Sequence, residues 1–79
     1  MASESVITVT VVFSPQAREI RECVLHMPET ATVKQAIALS GFLADMDAAM
    51  VAQMECGVWG RKTPLNHVLR EADRVEIYR

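Results

Sequence analysis

The most restrictive feature of this sequence is an alternating stretch near its start, residues 6–13, which reads V-I-T-V-T-V-V-F. β-Branched residues dominate it. The residues of one parity are all apolar: Ile7, Val9, Val11 and Phe13. Thr8 and Thr10 share the other parity. Because successive side chains of a strand point to opposite faces, this pattern predicts a β-strand with one buried face and one wetter face.

A second strand is predicted at residues 18–27, after a turn signal, S-P-Q, at residues 14–16. In it, an apolar set alternates with a mixed set: Cys23, Leu25 and Met27 against Glu22, Val24 and His26. The first set is expected to face the core. The two strands and their short connection therefore predict a β-hairpin.

One helix is predicted after Pro28. Thr32 and Gln35 fit a capping box, in which each side chain satisfies a free backbone N–H of the first turn. The following residues at helical spacing are Val33, Ala36, Ile37 and Ser40. Gly41 can adopt the left-handed conformation that ends a helix.

Residues 45–56 leave two interpretations open: a short helix capped by Asp47, or a compact loop with one helical turn. Met46, Met50 and Met54 stand four residues apart in this segment. They form either a flexible interaction stripe or, as we favour, a turn packed on the core, since apolar residues at helical spacing usually face inward.

A short strand at residues 58–62 contains the single Trp, and a last strand is predicted at residues 73–79, D-R-V-E-I-Y-R. The order β-β-α-(turn)-β-β predicts an α+β fold of the β-grasp (ubiquitin-like) type. One helix would cover one face of a mixed four- to five-stranded sheet, with the first and last strands parallel at its centre. Residues 1–79 are expected to form a single domain. The predicted core is Ile7, Val9, Val11, Leu25, Val33, Ile37, Leu43, Leu69, Val75 and Ile77.

Composition excludes several classes of function. The net charge is −2 and no Lys/Arg block is present, so a nucleic-acid partner is not expected. No apolar run approaches the roughly 20 residues of a membrane span, and the N-terminus lacks the basic region of a signal peptide. With only two cysteines, reduced thiols and a cytoplasmic location are the simpler expectation.

Three stretches sharpen this interpretation: M-P-E-T-A-T-V-K-Q-A-I, G-V-W-G-R-K and L-R-E-A-D-R-V-E-I-Y-R. Together they resemble the RnfH family of small bacterial ubiquitin-like proteins over nearly the whole chain. This chain departs from the family in having Ala72 where Gly is usual, and in a longer Met-rich segment. The resemblance implies no established activity. It points to gene neighbourhood with an Rnf-type electron-transport complex, or to the partner half of a toxin–antitoxin pair.

Three kinds of chemistry find little support in the residues. A sulfur carrier or ubiquitin-type modifier needs a C-terminal Gly-Gly, and the glycines here are at 41, 57 and 60, so only a degenerate carrier that has lost its tail stays open. Cys23 and His26 would point to opposite faces of a strand, and Cys56 with His67 would supply only two ligands, so no metal or cofactor is expected. A small enzyme or redox protein using Cys56 is the remaining alternative, and we expect no enzyme.

The predicted function is therefore binding of another, unidentified protein by a monomer. Strand parity predicts that Trp59, Arg61, Arg74, Glu76 and Tyr78 point to the sheet face that the helix leaves open, with the two aromatic rings side by side. Exposed aromatics flanked by arginine are typical of interface hot spots. The alternative is that Trp59 tucks against residues 45–56 and closes the fold.

Overall fold

The computed structural model describes residues 5–16, 18–44, 46 and 48–78. They form a five-stranded sheet covered on one face by helix α1 (Val33–Ser40), with a short second helix, α2 (Ala48–Gln53), before the third strand. The strands are β1 (Val6–Gln16), β2 (Glu19–Pro28), β3 (Glu55–Val58), β4 (Arg61–Lys62) and β5 (Arg74–Tyr78). Their spatial order is β2-β1-β5-β3-β4. The α+β, β-grasp prediction is confirmed.

The first and last strands lie side by side at the centre of the sheet and run parallel, as the sequence predicted. Thr10 is opposite Arg74, and the register continues to Phe13 opposite Ile77. β1 pairs antiparallel with β2 on its other side, and β5 pairs antiparallel with β3. The parallel pair is possible because α1 and the later strands supply the long crossover that such pairing needs.

The core lies between α1 and the inner face of the sheet. Eight of the ten predicted core residues are buried: Ile7, Val9, Val11, Val33, Ile37, Leu69, Val75 and Ile77. Leu25 and Leu43 are half-buried and pack against this cluster. Its remaining members are mostly small or flexible side chains: Phe13, Met27, Ala31, Ala36 and Cys56.

Helix α1 begins and ends as its sequence indicates. Gln35 donates its backbone N–H to Thr32 Oγ1 at 3.3 Å, and the Gln35 side chain accepts the Thr32 N–H at 2.9 Å. Gly41 follows the last turn with φ 75° and donates to the Ala38 carbonyl. Both ends of the helix thus satisfy backbone groups that would otherwise have no intrahelical partner.

The first hairpin turn differs from the prediction. β1 continues through residues 14–16, which the sequence assigned to the turn, and the ladder shifts register between Phe13 and Gln16. The chain reverses around Arg18, which has φ 68°. A proline ends a strand only where its missing N–H is needed for pairing. Pro15 lies at the register shift between Phe13 and Gln16, where the regular ladder is interrupted, so the strand continues through it.

The segment before β3 resolves in favour of the helical interpretation, since α2 spans Ala48–Gln53. Met46 and Met54 pack against the core, as we favoured, whereas the Met50 side chain and the Asp47 cap lie outside the described residues. Neither helix in the described part of the chain has the length and apolar character needed to cross a bilayer.

The turn into β5 is held in an unfavourable backbone conformation. Ala72 has φ 68°, a left-handed value that glycine adopts more easily than alanine. Its N–H nevertheless donates to the Thr8 carbonyl at 2.8 Å. The β1 backbone therefore fixes this turn despite the side chain that occupies it. The predicted strand 73–79 is observed as Arg74–Tyr78, and Arg79 lies outside the described residues.

Candidate protein-interaction face

The sheet surface turned away from α1, the open face, takes its side chains from the parity opposite to the core. Buried and half-buried residues alternate along β5, which fixes the direction of each side chain. The cross-strand register then assigns the neighbours. The open face carries Glu22, Val24 and His26 of β2, Thr8, Thr10 and Val12 of β1, Arg74, Glu76 and Tyr78 of β5, Glu55 and Gly57 of β3, and Lys62 of β4.

Arg74 is the central cation of this face. Its guanidinium lies 3.5 Å from a Glu76 oxygen on its own strand and 3.5 Å from Glu22 Oε1 on β2. These pairs span three neighbouring strands, β2, β1 and β5, because Arg74 reaches across β1. All three groups are partly exposed, so the pairs orient side chains more than they stabilise the fold.

Glu76 connects β5 to the turn between β3 and β4. Its Oε1 accepts the backbone N–H of Gly60 at 2.7 Å and the hydroxyl of Tyr78 at 2.9 Å. Partial burial, together with the hydrogen bond and the nearby charge of Glu76, raises the pKa of Tyr78. The phenol is therefore neutral at physiological pH and remains a hydrogen-bond donor on this face.

Tyr78 lies across the backbone of Gly57 on the neighbouring strand. A Cβ at Gly57 would come within 2.5 Å of the Tyr78 hydroxyl and would also overlap the backbone carbonyl of Arg61. Only a residue without a side chain leaves room for both contacts. Gly57 is thus required for the position of the Tyr78 ring.

Trp59 occupies a two-residue turn and not a strand, which corrects the strand predicted at residues 58–62. Trp59 and Gly60 join β3 to β4 and have φ 51° and 79°, the pair of positive values of a tight β-hairpin turn. The Trp59 N–H donates to the Arg74 carbonyl at 3.0 Å, so the turn is fastened to the start of β5. The side chain is 62% exposed, which does not fit the alternative in which Trp59 is tucked in and closes the fold.

The position predicted for Arg61 is wrong. The two-residue turn places Arg61 directly opposite Val58, so Arg61 shares the helix side of the sheet with that residue. The sequence prediction treated residues 58–62 as one continuous strand with alternating side chains, and it therefore assigned Arg61 to the open face. Lys62 takes that place instead, where its ammonium group lies 2.8 Å from Glu55 Oε1. This hydrogen bond and the charge of Glu55 raise the pKa of Lys62.

The two aromatic rings, predicted side by side, make no ring contact among the described residues, and the backbone positions of Trp59 and Tyr78 lie apart on the sheet. Trp59 is held opposite Arg74, whereas Tyr78 is opposite Glu55 at the other end of β5. Four residues of extended strand separate these positions, about 13 Å at roughly 3.3 Å per residue. Arg74, Glu76 and Tyr78 do share the open face, and their role in binding stays a prediction.

Three residues of this face were not assigned to it from the sequence, namely Glu55, Gly57 and Lys62, and the contact of Glu22 with Arg74 was not predicted either. Lys62 and Glu55 would follow from recognising W-G as a turn, because the register of the short hairpin then fixes both. Gly57 carries the signal of a glycine within a strand, which often marks close approach of another group. Glu22 contacts Arg74 from 52 positions away, and no local pattern indicates that contact.

Neither cysteine forms a reactive constellation in the described part of the chain. Burial raises the pKa of the Cys56 thiol, which lies on the core side and donates to the Thr63 carbonyl at 3.3 Å. Cys23 and His26 sit on opposite faces of β2, as their spacing predicted. Across residues 5–16, 18–44, 46 and 48–78, no group of three or more His, Cys, Asp or Glu side chains converges as metal ligands do.

A groove lies on the helix side of the sheet, between α1, α2 and β3. It is an open groove of about 400 Å³ with a mostly apolar lining that includes Ile37, Met54 and Leu65. Lys34 and Glu55 stand among its lining residues. Among the described residues that line the groove, no set of catalytic groups comes together, and the thiol there, Cys56, has its pKa raised by burial.

Comparison with known proteins gives a consistent family assignment. The family model described as RnfH family Ubiquitin matches residues 7–79. A protein RnfH of Rhodobacter capsulatus is 42% identical over 55 residues, which cover 70% of this chain and 65% of that protein. A protein RnfH of Paraburkholderia xenovorans is also 42% identical over 55 residues, covering 70% of this chain and 50% of that protein. A protein RnfH of Pseudomonas savastanoi pv. phaseolicola is 34% identical over 79 residues, covering 98% of this chain and 75% of that protein. The matched segments thus span between half and three quarters of these relatives.

Proposed function

Because this chain belongs to the RnfH family of ubiquitin-like proteins, we propose that it is a non-enzymatic module that binds another protein through one end of the open face. That end, the Trp59 patch, comprises Trp59 and the adjoining Arg74 and Glu76. Tyr78 extends the same surface along β5.

The conformation of Trp59 is the observation that carries this proposal. The indole is 62% exposed, and its backbone has φ 51° in a turn where Asn or Asp is usually followed by Gly. A bulky residue in the left-handed region costs about 1–2 kcal/mol relative to the residues that favour it. Because the indole is largely exposed, packing of its ring does not offset this backbone cost. Trp59 therefore stabilises the isolated fold less than asparagine would. Strained residues of this kind cluster at functional sites.

The surroundings of Trp59 match the composition of a binding hot spot. Trp, Tyr and Arg are the residues most enriched there, and the Trp59 N–H is bonded to the backbone of Arg74. Glu76 holds the turn through the Gly60 N–H, so the indole projects from a fixed support. A fixed support lowers the entropy lost when a partner binds.

Two partner classes follow from the family resemblance: a subunit of an Rnf-type electron-transport complex, and the toxin of a toxin–antitoxin pair. Both are proteins that a monomeric cytoplasmic module would meet at the aqueous surface. The alternative is a degenerate carrier whose C-terminal Gly-Gly is absent, and the three glycines of the given sequence, at 41, 57 and 60, lie within the fold. We propose binding, because the exposed and strained Trp59 supports it directly.

The substitution Trp59→Asn is expected to separate binding from folding. Asn tolerates the left-handed turn and should raise the free energy of unfolding by about 0.5–1 kcal/mol. Loss of the indole should weaken partner binding by about 2 kcal/mol, roughly 30-fold. Thermal melts measure the first effect. Capture from an extract of the native cell on immobilised wild type and variant, quantified by mass spectrometry, measures the second.

Leu65→Asn is the matched control, because Leu65 is 50% exposed and lies in a turn on the helix side. It should retain the captured protein. Equal capture by wild type and Trp59→Asn would contradict the proposal. If only Leu65→Asn lost the captured protein, the binding site would instead be the helix-side groove that Leu65 lines.

A further inference from the structure

The outer edge of β2 is a ten-residue strand that borders no other strand in the described sheet. The opposite edge, β4, is only two residues long. Proteins commonly blunt sheet edges with short strands, prolines or lysines. β4 has this protection, whereas residues 23–27 of β2 read C-V-L-H-M, without Pro, Lys or any Asp, Glu or Arg.

The hydrogen bonds of β1 show which β2 backbone groups face outward. Thr10 donates to the Asp73 carbonyl and the Thr8 carbonyl accepts from Ala72, so the backbone groups of both threonines face β5. Those of Val9 and Val11 therefore face β2, where they meet Leu25 and Cys23. The alternate residues of β2 direct their N–H and C=O groups away from the sheet: Ile20, Glu22, Val24 and His26. Among the described residues, no hydrogen bond engages these outward backbone groups.

Apolar side chains flank this free edge on both faces of the sheet. On the open face, Ile20 is 68% and Val24 is 60% exposed. On the helix side, Leu25 and Cys23 are half-buried, and Leu39 of α1 is exposed. A strand added here would bury apolar surface above and below its backbone, in addition to completing the ladder.

We infer that β2 pairs antiparallel with β2 of a second copy of this chain, about a two-fold axis at Val24. An axis at Glu22 would set two carboxylates directly opposite each other, which is destabilising. An axis at Cys23 would place each Glu22 opposite Val24 of the other copy, which gives the carboxylate no polar partner. With the axis at Val24, the two valines meet, and each Glu22 faces His26 of the other copy.

Charge and hydrogen-bonding capacity agree with this register. The His26 Nδ1 lies 3.2 Å from Thr8 Oγ1, which leaves Nε2 for a carboxylate across the new ladder. On the helix side, the same register places Cys23 opposite Leu25 of the second copy. The surface is thus self-complementary, as a two-fold interface requires.

This dimer is weak and concentration-dependent, because one pair of strands buries less than the roughly 800 Å² per partner of a stable interface. The monomer expected from the sequence is its dilute state. In the dimer, two five-stranded sheets join into one, and the two Trp59 turns lie at its far ends, since β3 and β4 are remote from β2. Two binding patches on one particle favour a partner that presents two matching sites.

Sedimentation measured from micromolar to millimolar protein tests the inference. The wild-type mass should rise from 8.8 kDa toward twice that value, and hydrogen exchange of the Glu22, Val24 and His26 amides should slow in parallel. Val24→Lys should remain monomeric throughout. Val6→Lys, the matched control on the same face at 62% exposure, should behave as wild type. A wild type that stays monomeric, a Val24→Lys protein that still dimerises, or a Val6→Lys protein that does not, would each overturn the inference.

Oxidation with diamide tests the register. In the Cys23→Ser/Val24→Cys double variant, the two introduced thiols would face each other about 5.5 Å apart between Cα atoms, a distance that a disulfide spans. This variant should form a covalent dimer on a non-reducing gel, while wild type, with Cys23 opposite Leu25, should not. Cross-linking of wild type in preference to the variant would place the axis at Cys23 and overturn the Val24 register.

Discussion

A chain shortened to end at Asp73 is expected to be unfolded. This truncation removes β5, which pairs with β1 on one side and with β3 on the other. It also removes Val75, which is fully buried, and Ile77, which is 5% exposed. Without β5 the β3–β4 hairpin has no strand to join, and a two-stranded hairpin is marginally stable at best in water. A domain of this size has only a small stability to lose.

A chain that ends at Tyr78 is the matched control, because it keeps β5 complete. Its amide NMR spectrum should be as dispersed as that of the full chain, whereas the chain ending at Asp73 should give the narrow spectrum of an unfolded polypeptide. A dispersed spectrum from the shorter chain would show that β5 is dispensable. It would then behave as the detachable tail that the carrier alternative requires.

The parts of the fold that the sequence predicted are those encoded by local, redundant patterns. Alternation along residues 6–13 fixed the inner face of β1, and the capping box at Thr32 with Gly41 fixed both ends of α1. Each of these signals arises within a few residues and needs no tertiary contact to be interpreted. The parallel pairing of the first and last strands at the centre of the sheet then followed from the few topologies that such an order of elements allows.

The errors come from turns whose chemistry depends on contacts far away in the sequence. The residues around Trp59 favour a strand by intrinsic propensity, since Val and Trp are β formers. The turn forms nevertheless, because Glu76 accepts the Gly60 N–H and the Arg74 carbonyl accepts the Trp59 N–H. Both partners lie about 15 residues further along the chain. These two hydrogen bonds therefore outweigh the local strand propensity, and the sequence pattern does not indicate them.

One misplaced turn accounts for both errors in the candidate site. A two-residue turn reverses the chain, so the residues on either side of it share a face instead of alternating. That reversal moves Arg61 to the helix side and brings Lys62 to the open face. It also fixes Trp59 at one end of β5, away from Tyr78. The residues of β5 were placed correctly because no turn intervenes between Arg74 and Tyr78.

Gly57→Ala is expected to destabilise the fold by about 3 kcal/mol, the upper part of the range for overpacked substitutions. The added Cβ would overlap the backbone carbonyl of Arg61 and approach the Tyr78 hydroxyl to 2.5 Å. A side chain can rotate away from such a contact. The Arg61 carbonyl cannot, because its position is set by the pairing of β4 with β3. The midpoint of chemical denaturation should therefore fall with little change in slope.

The double variant Gly57→Ala/Tyr78→Ala identifies which contact is responsible. If the backbone carbonyl of Arg61 dominates, most of the cost of Gly57→Ala should persist when the tyrosine ring is absent. If the hydroxyl dominated, the two substitutions would be strongly coupled and the second would relieve the first. We expect weak relief, because β4 is the two-residue edge of the sheet and must move as a unit to admit the methyl group. That movement would also disturb the Trp59 turn, so Gly57→Ala should weaken partner capture where Leu65→Asn does not.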